Sequence, residues 1–212
     1  MERVFGQQVG QPSGMDGVRG DERTSAVRER REYKFLVDVE QARQIQHAAL
    51  PFCEPDFHST NSGDGAYRIH SLYFDDESLS LFQANTTELS NRVKVRVRRY
   101  PSGPNQVVFL EVKRRILDVV QKRRTRIPAA LWPRILLDDT LDPMPTDVRR
   151  HVEDFLALVR SNNLVPQTHV VYDRIALVSR VDEYARITFD YRMTCQAASS
   201  HDLHFDEAML RP

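Results

Sequence analysis

Hydrophobic and polar residues alternate along seven segments of the chain, as in β-strands that bury one face and expose the other. These segments are residues 30–38, 66–76, 91–100, 106–115, 118–128, 166–179 and 184–195. Several are joined by short connections: Gly103 and Pro104 mark a turn, and residues 116–118 leave room only for a hairpin. The pattern therefore predicts seven strands in a mostly antiparallel sheet.

Two other segments repeat apolar residues every three or four positions, which predicts amphipathic helices. The first covers residues 39–50, with Asp38 as its N-cap and Pro51 at its end. The second lies within residues 129–160, is interrupted by prolines, and is strongest after Thr146, a predicted N-cap. Strands with short connections and helices in two insertions predict the α+β class.

The composition fits one globular domain. The chain has 212 residues, of which 41% are hydrophobic and 28% charged. Residues 1–28 have no regular period and are predicted to be disordered, which leaves residues 29–212 as the domain. Within it, residues 53–66 are predicted to form a loop.

The sequence predicts a cytoplasmic protein. No apolar stretch reaches the ~20 residues that a membrane span requires, and the first residues do not form a signal peptide. The two cysteines, Cys53 and Cys195, are far apart and lack metal-ligand spacing. They are therefore predicted to be buried or partly buried thiols in a reducing compartment.

Charge is balanced over the whole chain but not along the predicted strands. Lysine plus arginine equals aspartate plus glutamate, at 30 each, so no general attraction to nucleic acid or membranes is indicated. Cations nevertheless occupy alternate strand positions: Lys34, Lys94, Arg96, Arg98, Lys113, Arg115, Lys122, Arg124, Arg126, Arg174 and Arg186. This predicted face holds only three acids, Glu32, Glu111 and Asp190.

One strand of this kind, taken alone, is typical of a solvated face. Such faces mix both signs of charge, however, because like charges opposite each other destabilise a sheet. A sheet closed into a barrel would direct the cations at one enclosed polyanion, and arginine and lysine both suit phosphate. The few acids suit a hard cation such as Mg²⁺ or Mn²⁺ on the phosphates. The residues thus favour a phosphate-binding tunnel.

Six short motifs in order resemble the VTC domain, the polyphosphate polymerase domain of the CYTH or triphosphate tunnel metalloenzyme superfamily. They are residues 31–37, 67–76, 94–100, 109–115 with 121–124, 170–177 and 185–190. The resemblance implies a tunnel of eight antiparallel strands that binds ATP, polyphosphate or pyrophosphate with a divalent metal, Mg²⁺ or Mn²⁺. It also implies transfer of the γ-phosphoryl group of ATP to a polyphosphate chain.

The resemblance assigns roles to matching positions. It implies phosphate ligands with a catalytic role at Arg96, Arg98, Lys113 and Lys122. It implies further substrate contacts at Lys34, Tyr172, Arg174 and Arg186, to which Lys94 is added because it shares the face of Arg96. The acidic positions that serve metal binding correspond to Glu32 and Glu111.

The chain departs from the superfamily pattern at both ends. Arg30 stands where the fuller first-strand signature has an acid, which argues against a simple hydrolase. The family closes the tunnel with a last strand that carries an apolar–Glu–apolar–Lys pattern, and the residues around Glu207 do not match it. The sequence therefore predicts a C-terminally incomplete domain with one open sheet edge.

Three functions stay open at this point. The first is an ATP-dependent polyphosphate polymerase. The second is a non-catalytic module that binds or senses polyphosphate or nucleotide, and the third is a triphosphate hydrolase of the same superfamily. A nucleic-acid binder is not expected, because aromatic residues are not interleaved with the cations. Asp75 and Asp76 are predicted to form a strand-end turn in preference to a metal site.

Overall fold

The computed structural model describes residues 3–7, 32–60, 62–63, 65–101, 107–137, 144–181 and 185–203. The chain divides into two compact units. Unit 1 contains Met1–Tyr67 and Tyr172–Met193, and unit 2 contains Arg68–Val171 and Thr194–Pro212. Within the described ranges, no helix is long and apolar enough to cross a bilayer.

The described residues form an α+β fold. The strands are β1 (Arg3–Gln7), β2 (Lys34–Asp38), β3 (Cys53–Pro55), β4 (Tyr67–Asp75), β5 (Asn91–Arg99), β6 (Val107–Ile116), β7 (Val119–Pro128), β8 (Val165–Ser179) and β9 (Arg186–Ala197). The helices are α1 (Val39–Ala49), α2 (Phe57–Thr60), α3 (Ser80–Thr86), α4 (Arg134–Leu137) and α5 (Thr146–Ser161), with a 3₁₀ turn at Ala129–Leu131. The predicted class and the antiparallel pairing are both confirmed.

In unit 1 the strand order is β2-β1-β9-β8, and β3 pairs with β8. Helix α1 begins with a capping box: Asp38 accepts the N–H of Gln41, and the Gln41 side chain accepts the N–H of Asp38. This confirms Asp38 as the N-cap. Ala42 of α1 is fully buried, and the same small core contains Leu177 and Phe189.

In unit 2 the order is β8-β4-β5-β6-β7. Apolar and polar residues alternate along these strands. The apolar side chains form the core, and α5 packs on it. The buried strand residues are Leu72, Phe74, Val95, Val97, Val108, Leu110 and Ile127, and those of α5 are Val152, Phe155, Leu156 and Val159. Alternate residues of a strand point to opposite faces of the sheet. Because the apolar residues face α5, the polar residues between them point away from it.

The loop between β6 and β7 confirms the predicted hairpin. Ile116 pairs with Val119, so only Leu117 and Asp118 connect the strands. The predicted strand-end turn at Asp75 and Asp76 is also confirmed. The Asp75 carboxylate accepts backbone N–H groups at the start of α3, and Asp76 accepts hydrogen bonds from Ser78 and Ser80.

Several sequence predictions require correction. Residues 3–7, predicted to be disordered, form β1 between β2 and β9, where both neighbours supply backbone partners for a segment that contains β-forming Val4 and Phe5. Thr146 is the first residue of α5, not its cap, because the carbonyl of Pro145 already accepts the first helical N–H, that of Arg149.

Other differences are smaller. The predicted loop of residues 53–66 contains β3 and α2, and α3 was not predicted. Cys53 is buried as expected but Cys195 is exposed, and both are free thiols. Three predicted features lie outside the described residues: the segment of residues 8–28, the turn at Gly103 and Pro104, and the tail with the missing strand pattern.

The packing of α5 on the sheet generates a stability prediction. Phe155 is 3% exposed and meets Phe74 edge-on, whereas Phe82 of α3 is 62% exposed. We expect Phe155→Ala to lower the free energy of unfolding by about 3–5 kcal/mol, because it leaves a cavity in the core. The matched control Phe82→Ala should change it by less than about 1 kcal/mol. Urea unfolding measures both, and equal losses would contradict the packing described.

Candidate functional site

The side chains on the polar face of the sheet in unit 2 form three rows across strands β4 to β7. The register aligns Lys94, Lys113 and Lys122 in one row. The next row contains Tyr73, Arg96, Glu111 and Arg124, and the third contains Ser71, Arg98, Phe109 and Arg126. Together these rows hold seven cations and one carboxylate. The Cα atoms of residues directly opposite each other on antiparallel strands lie ~4.5–5.5 Å apart, so the seven positive charges lie close together.

The carboxylate of Glu111 is the centre of these rows. Its side chain is 3% exposed, and four cations lie within 4.0 Å of it. Arg96 donates from both Nε and Nη2 to Oε2, each at 2.6 Å, and Arg98 Nη1 lies 4.0 Å from the same oxygen. On the other side, Oε1 lies 3.2 Å from Arg124 Nε and 3.7 Å from Lys122 Nζ. We call these five residues the Glu111 cluster.

Each arginine of the Glu111 cluster has a second contact with an uncharged side chain. Arg96 Nη1 donates to the Tyr73 hydroxyl at 2.8 Å, and Arg98 Nε lies 3.2 Å from Ser71 Oγ. Arg124 Nη2 donates to the Tyr100 hydroxyl at 3.0 Å. In addition, its guanidinium carbon lies 3.7 Å from the ring centre of Phe109, a cation–π contact. The arginines are therefore oriented by contacts on two sides.

The surrounding cations keep Glu111 ionised. Burial raises the pKa of its carboxyl group, but Arg96, Arg98, Lys122 and Arg124 lower it by more, so the pKa lies well below its ordinary value. Burial, assisted by repulsion from Arg96, Arg124 and Arg98, lowers the pKa of Lys122 against the attraction of Glu111. The carboxylate is thus charged at neutral pH.

In unit 1 the predicted cations have carboxylate partners of their own. Arg174 forms a two-point ion pair with Asp190, at 2.6 and 2.7 Å, and its guanidinium lies 5.2 Å from the ring centre of Tyr172. Arg186 contacts the buried carboxylate of Asp56, which also accepts the N–H of Ser59. Here each arginine therefore meets a carboxylate from unit 1.

Lys34 is the first residue of β2, and Glu32 lies two residues before it, also in unit 1. Their charged groups are 3.4 Å apart, and the Lys34 side chain is 63% exposed. The structure thus brings together the predicted residues Lys94, Arg96, Arg98, Glu111, Lys113 and Lys122 on one face of unit 2. It places Glu32, Lys34, Tyr172, Arg174 and Arg186 in separate contacts within unit 1.

Sequence reasoning missed several partners in these contacts. Arg124 was on the predicted face but was not proposed as a site residue. Tyr73 and Ser71 alternate with the buried Leu72 and Phe74, so the alternation along β4 could have placed them on the polar face. Asp56 contacts Arg186 across 130 positions of sequence, and no local pattern indicates such a pair.

The Glu111 cluster does not fit a metal ion held by the protein. Both oxygens of Glu111 face cations, and a divalent ion would add charge to a place that already holds four. Among the described residues, no group of three or more His, Cys, Asp or Glu could hold a metal. The surroundings of Glu111 therefore do not favour its predicted metal role, and the metal role of Glu32 stays a prediction.

Unit 2 also contains an open cavity of about 710 Å³ at another place. It is lined by the residues after β4, by α4 and by the connection from α5 to β8, including Asp76, Arg160 and His201. Its lining does not include the cationic rows.

The low pKa of Glu111 generates a pH prediction. A carboxylate with a lowered pKa in the folded protein stabilises the fold above the ordinary pKa, here 4.5, and this contribution disappears as the pH falls through the lowered value. We therefore expect the parent to exceed Glu111→Gln in free energy of unfolding by a constant amount from about pH 8 to 5. The difference should shrink on further acidification. Urea unfolding at several pH values tests this, and a difference that grows below pH 5 would contradict it.

The Arg174–Asp190 pair generates a second prediction. The side chains are 14% and 7% exposed, so Asp190→Asn should lower the free energy of unfolding by about 1.5–3 kcal/mol. A matched control is Asp154→Asn, which breaks an exposed pair with Arg123 and should change it by less than about 1 kcal/mol. Chemical unfolding compares the two, and a control as damaging as Asp190→Asn would refute the distinction.

The chain is similar to a known protein family and to a solved structure. No curated protein matches the chain. A solved structure from Bacillus halodurans, described as a candidate adenylate cyclase, is similar at 11% identity and a TM-score of 0.42, over 78% of each chain. The family model of the VTC domain matches residues 29–212, most of the chain. The resemblance of the six motifs is thereby confirmed: the chain belongs to the VTC domain family.

Proposed function

We propose that this chain binds the triphosphate of ATP, or polyphosphate, on the cationic rows of unit 2. The observation that supports this most is the excess of charge: seven cations share three adjacent rows with one carboxylate. Guanidinium groups bind phosphate through paired N–H donors, and ammonium groups act as compact point charges. A ligand with several linked phosphate groups satisfies such rows better than a single anion does.

The proposal assigns roles within the rows. Arg96, Arg98 and Arg124 bind phosphate oxygens through their forks, and the lysine row supplies additional charge from Lys113 and Lys122. Lys94 belongs to the same row and contributes to binding. Arg124 extends the set expected from the sequence, because its Nε lies 3.2 Å from Oε1 of Glu111, the oxygen that Arg96 does not contact.

The predicted contacts in unit 1 are weaker candidates. Arg174 and Arg186 would bind phosphate only by sharing or leaving Asp190 and Asp56. Tyr172 is buried beside Arg174, and Lys34 is paired with Glu32. We propose these four residues as secondary substrate contacts.

The reaction that we propose is phosphoryl transfer from ATP to polyphosphate. The bond between the γ-phosphorus and the β,γ-bridging oxygen breaks, a terminal oxygen of the acceptor bonds to the γ-phosphorus, and ADP leaves. The transition state spreads negative charge over the phosphoryl oxygens, so fixed cations stabilise it without a protein nucleophile. The superfamily generally uses a divalent metal, and when bound it would neutralise further phosphate charge. Mg²⁺ or Mn²⁺ for this chain, and the cytoplasmic location, stay predictions.

A polymerase assay separates the proposed enzyme from its alternatives. Purified protein is incubated with ATP, Mn²⁺ and pyrophosphate as primer, and a gel is stained for polyphosphate. We expect long polyphosphate from the parent and none from Arg96→Ala. Release of inorganic phosphate without polymer would indicate a hydrolase, and tight binding without either product would indicate a non-catalytic sensing module.

The binding role generates its own prediction. Arg96→Ala should weaken binding of tripolyphosphate by on the order of 1.5–3 kcal/mol, roughly ten- to a hundredfold, because it removes a charge-assisted contact. Arg123→Ala is the matched control, since Arg123 lies on the other face of β7 from Arg124 and pairs with Asp154. Calorimetry in metal-free buffer measures both. Equal losses in the two variants would show that only overall charge matters and would contradict the assigned site.

A further inference from the structure

We propose that Glu111 is a positioning residue that takes the place of a phosphate group in the ligand-free protein, and that it does not bind metal. This inference rests on the proposed function, because it concerns the same cationic rows. It explains why one acid occurs among seven cations, and it predicts that this acid opposes ligand binding.

The geometry of the carboxylate supports the first part. Arg96 donates two N–H groups to Glu111 Oε2, and Arg124 approaches Oε1 from the other side at 3.2 Å. Carboxylate and phosphate oxygens are alternative partners for the same guanidinium donors. A phosphate group placed over the row would therefore compete with Glu111 for N–H donors that already point at its carboxylate.

The charge balance supports the second part. The Glu111 side chain is almost fully buried, and Arg98, the most buried cation of the cluster, has a side chain only 6% exposed. Cations held this close repel one another, and a buried carboxylate offsets that repulsion while no ligand is present. The same carboxylate repels an arriving phosphate. Glu111 thus stabilises the empty site and lowers its affinity for ligand.

The arginines need not move when a ligand replaces Glu111 as their partner. Tyr73 accepts from Arg96, Tyr100 accepts from Arg124, and Ser71 lies beside Arg98 Nε. These uncharged contacts orient the guanidinium groups without neutralising them. Binding therefore exchanges one anion for another at a site whose cations keep their directions, which limits the entropy lost on binding.

The experiment compares the parent with Glu111→Gln, which keeps the shape of the side chain and removes its charge. Tripolyphosphate is titrated by calorimetry, first with EDTA and then with Mn²⁺. We expect Glu111→Gln to bind about tenfold more tightly in EDTA, because one nearby like charge is gone. We expect Mn²⁺ to change the affinity of parent and variant by the same factor. Asp154→Asn, an Asp-to-amide change in α5, whose partner Arg123 lies on the other face of β7, should leave both affinities unchanged.

Thermal unfolding provides a second readout on the same proteins. Without ligand, Glu111→Gln should melt at a lower temperature than the parent, because its cations lack their counterion. Tripolyphosphate should raise the melting temperature of Glu111→Gln more than that of the parent, since the ligand supplies the missing charge. If Glu111→Gln does not fold, Glu111→Asp replaces it in the test. Its shorter side chain withdraws the carboxylate from Arg96 and Arg124 and leaves their donors open to phosphate, so its affinity in EDTA should exceed that of the parent.

The outcomes distinguish this inference from the proposed function. If the parent does not bind tripolyphosphate, the proposed function fails and the inference fails with it. If the parent binds and Arg96→Ala weakens binding, but Glu111→Gln shows equal or weaker affinity in EDTA, only the inference is wrong. A loss of the Mn²⁺ effect confined to Glu111→Gln would assign Glu111 to metal binding and also overturn the inference.

Discussion

The antiparallel register of β4, β5, β6 and β7 places Tyr73, Arg96, Glu111 and Arg124 in one row, and the site depends on this alignment. A strand alternates its faces with a period of two, so a shift of one residue in any pair would move cations into the core. The alternation alone allows shifts of two. The two-residue loop at Leu117 and Asp118 fixes the register of β6 and β7, and the observed register places Glu111 between Arg96 and Arg124.

The two faces of the unit 2 sheet therefore support each other. On one face, Val95, Val97 and Leu110 are buried under α5, and the loss of water from these side chains stabilises the strands. On the other face, Arg96 and Glu111 belong to these same strands, so the packing of the apolar residues also holds their backbone in place. Functional side chains on strands with a packed reverse face are held more precisely than side chains on loops. The close cations require such support, because they repel one another.

The sequence predicted the parts of this arrangement that follow from a period of two or 3.6. Lys94 and Arg96 could be placed opposite Val95 and Val97, and the hairpin around Asp118 followed from its length. Pairings between distant positions could not be predicted, since the Asp56–Arg186 contact leaves no trace in either local pattern. The strand at Arg3–Gln7 was missed for the same reason, because its partners lie in β2 and β9.

The two units differ in how their cations are balanced, and the difference indicates where a polyanion would act. In unit 1, Arg174 and Arg186 each contact a separate carboxylate, so a ligand would have to disrupt an existing pair to bind them. In unit 2, Arg96, Arg98, Lys122 and Arg124 all lie around Glu111. One displaced carboxylate there releases donors from several side chains. Each displaced carboxylate therefore releases more cations in unit 2 than in unit 1, which supports the rows of unit 2 as the proposed binding place for a chain of phosphate groups.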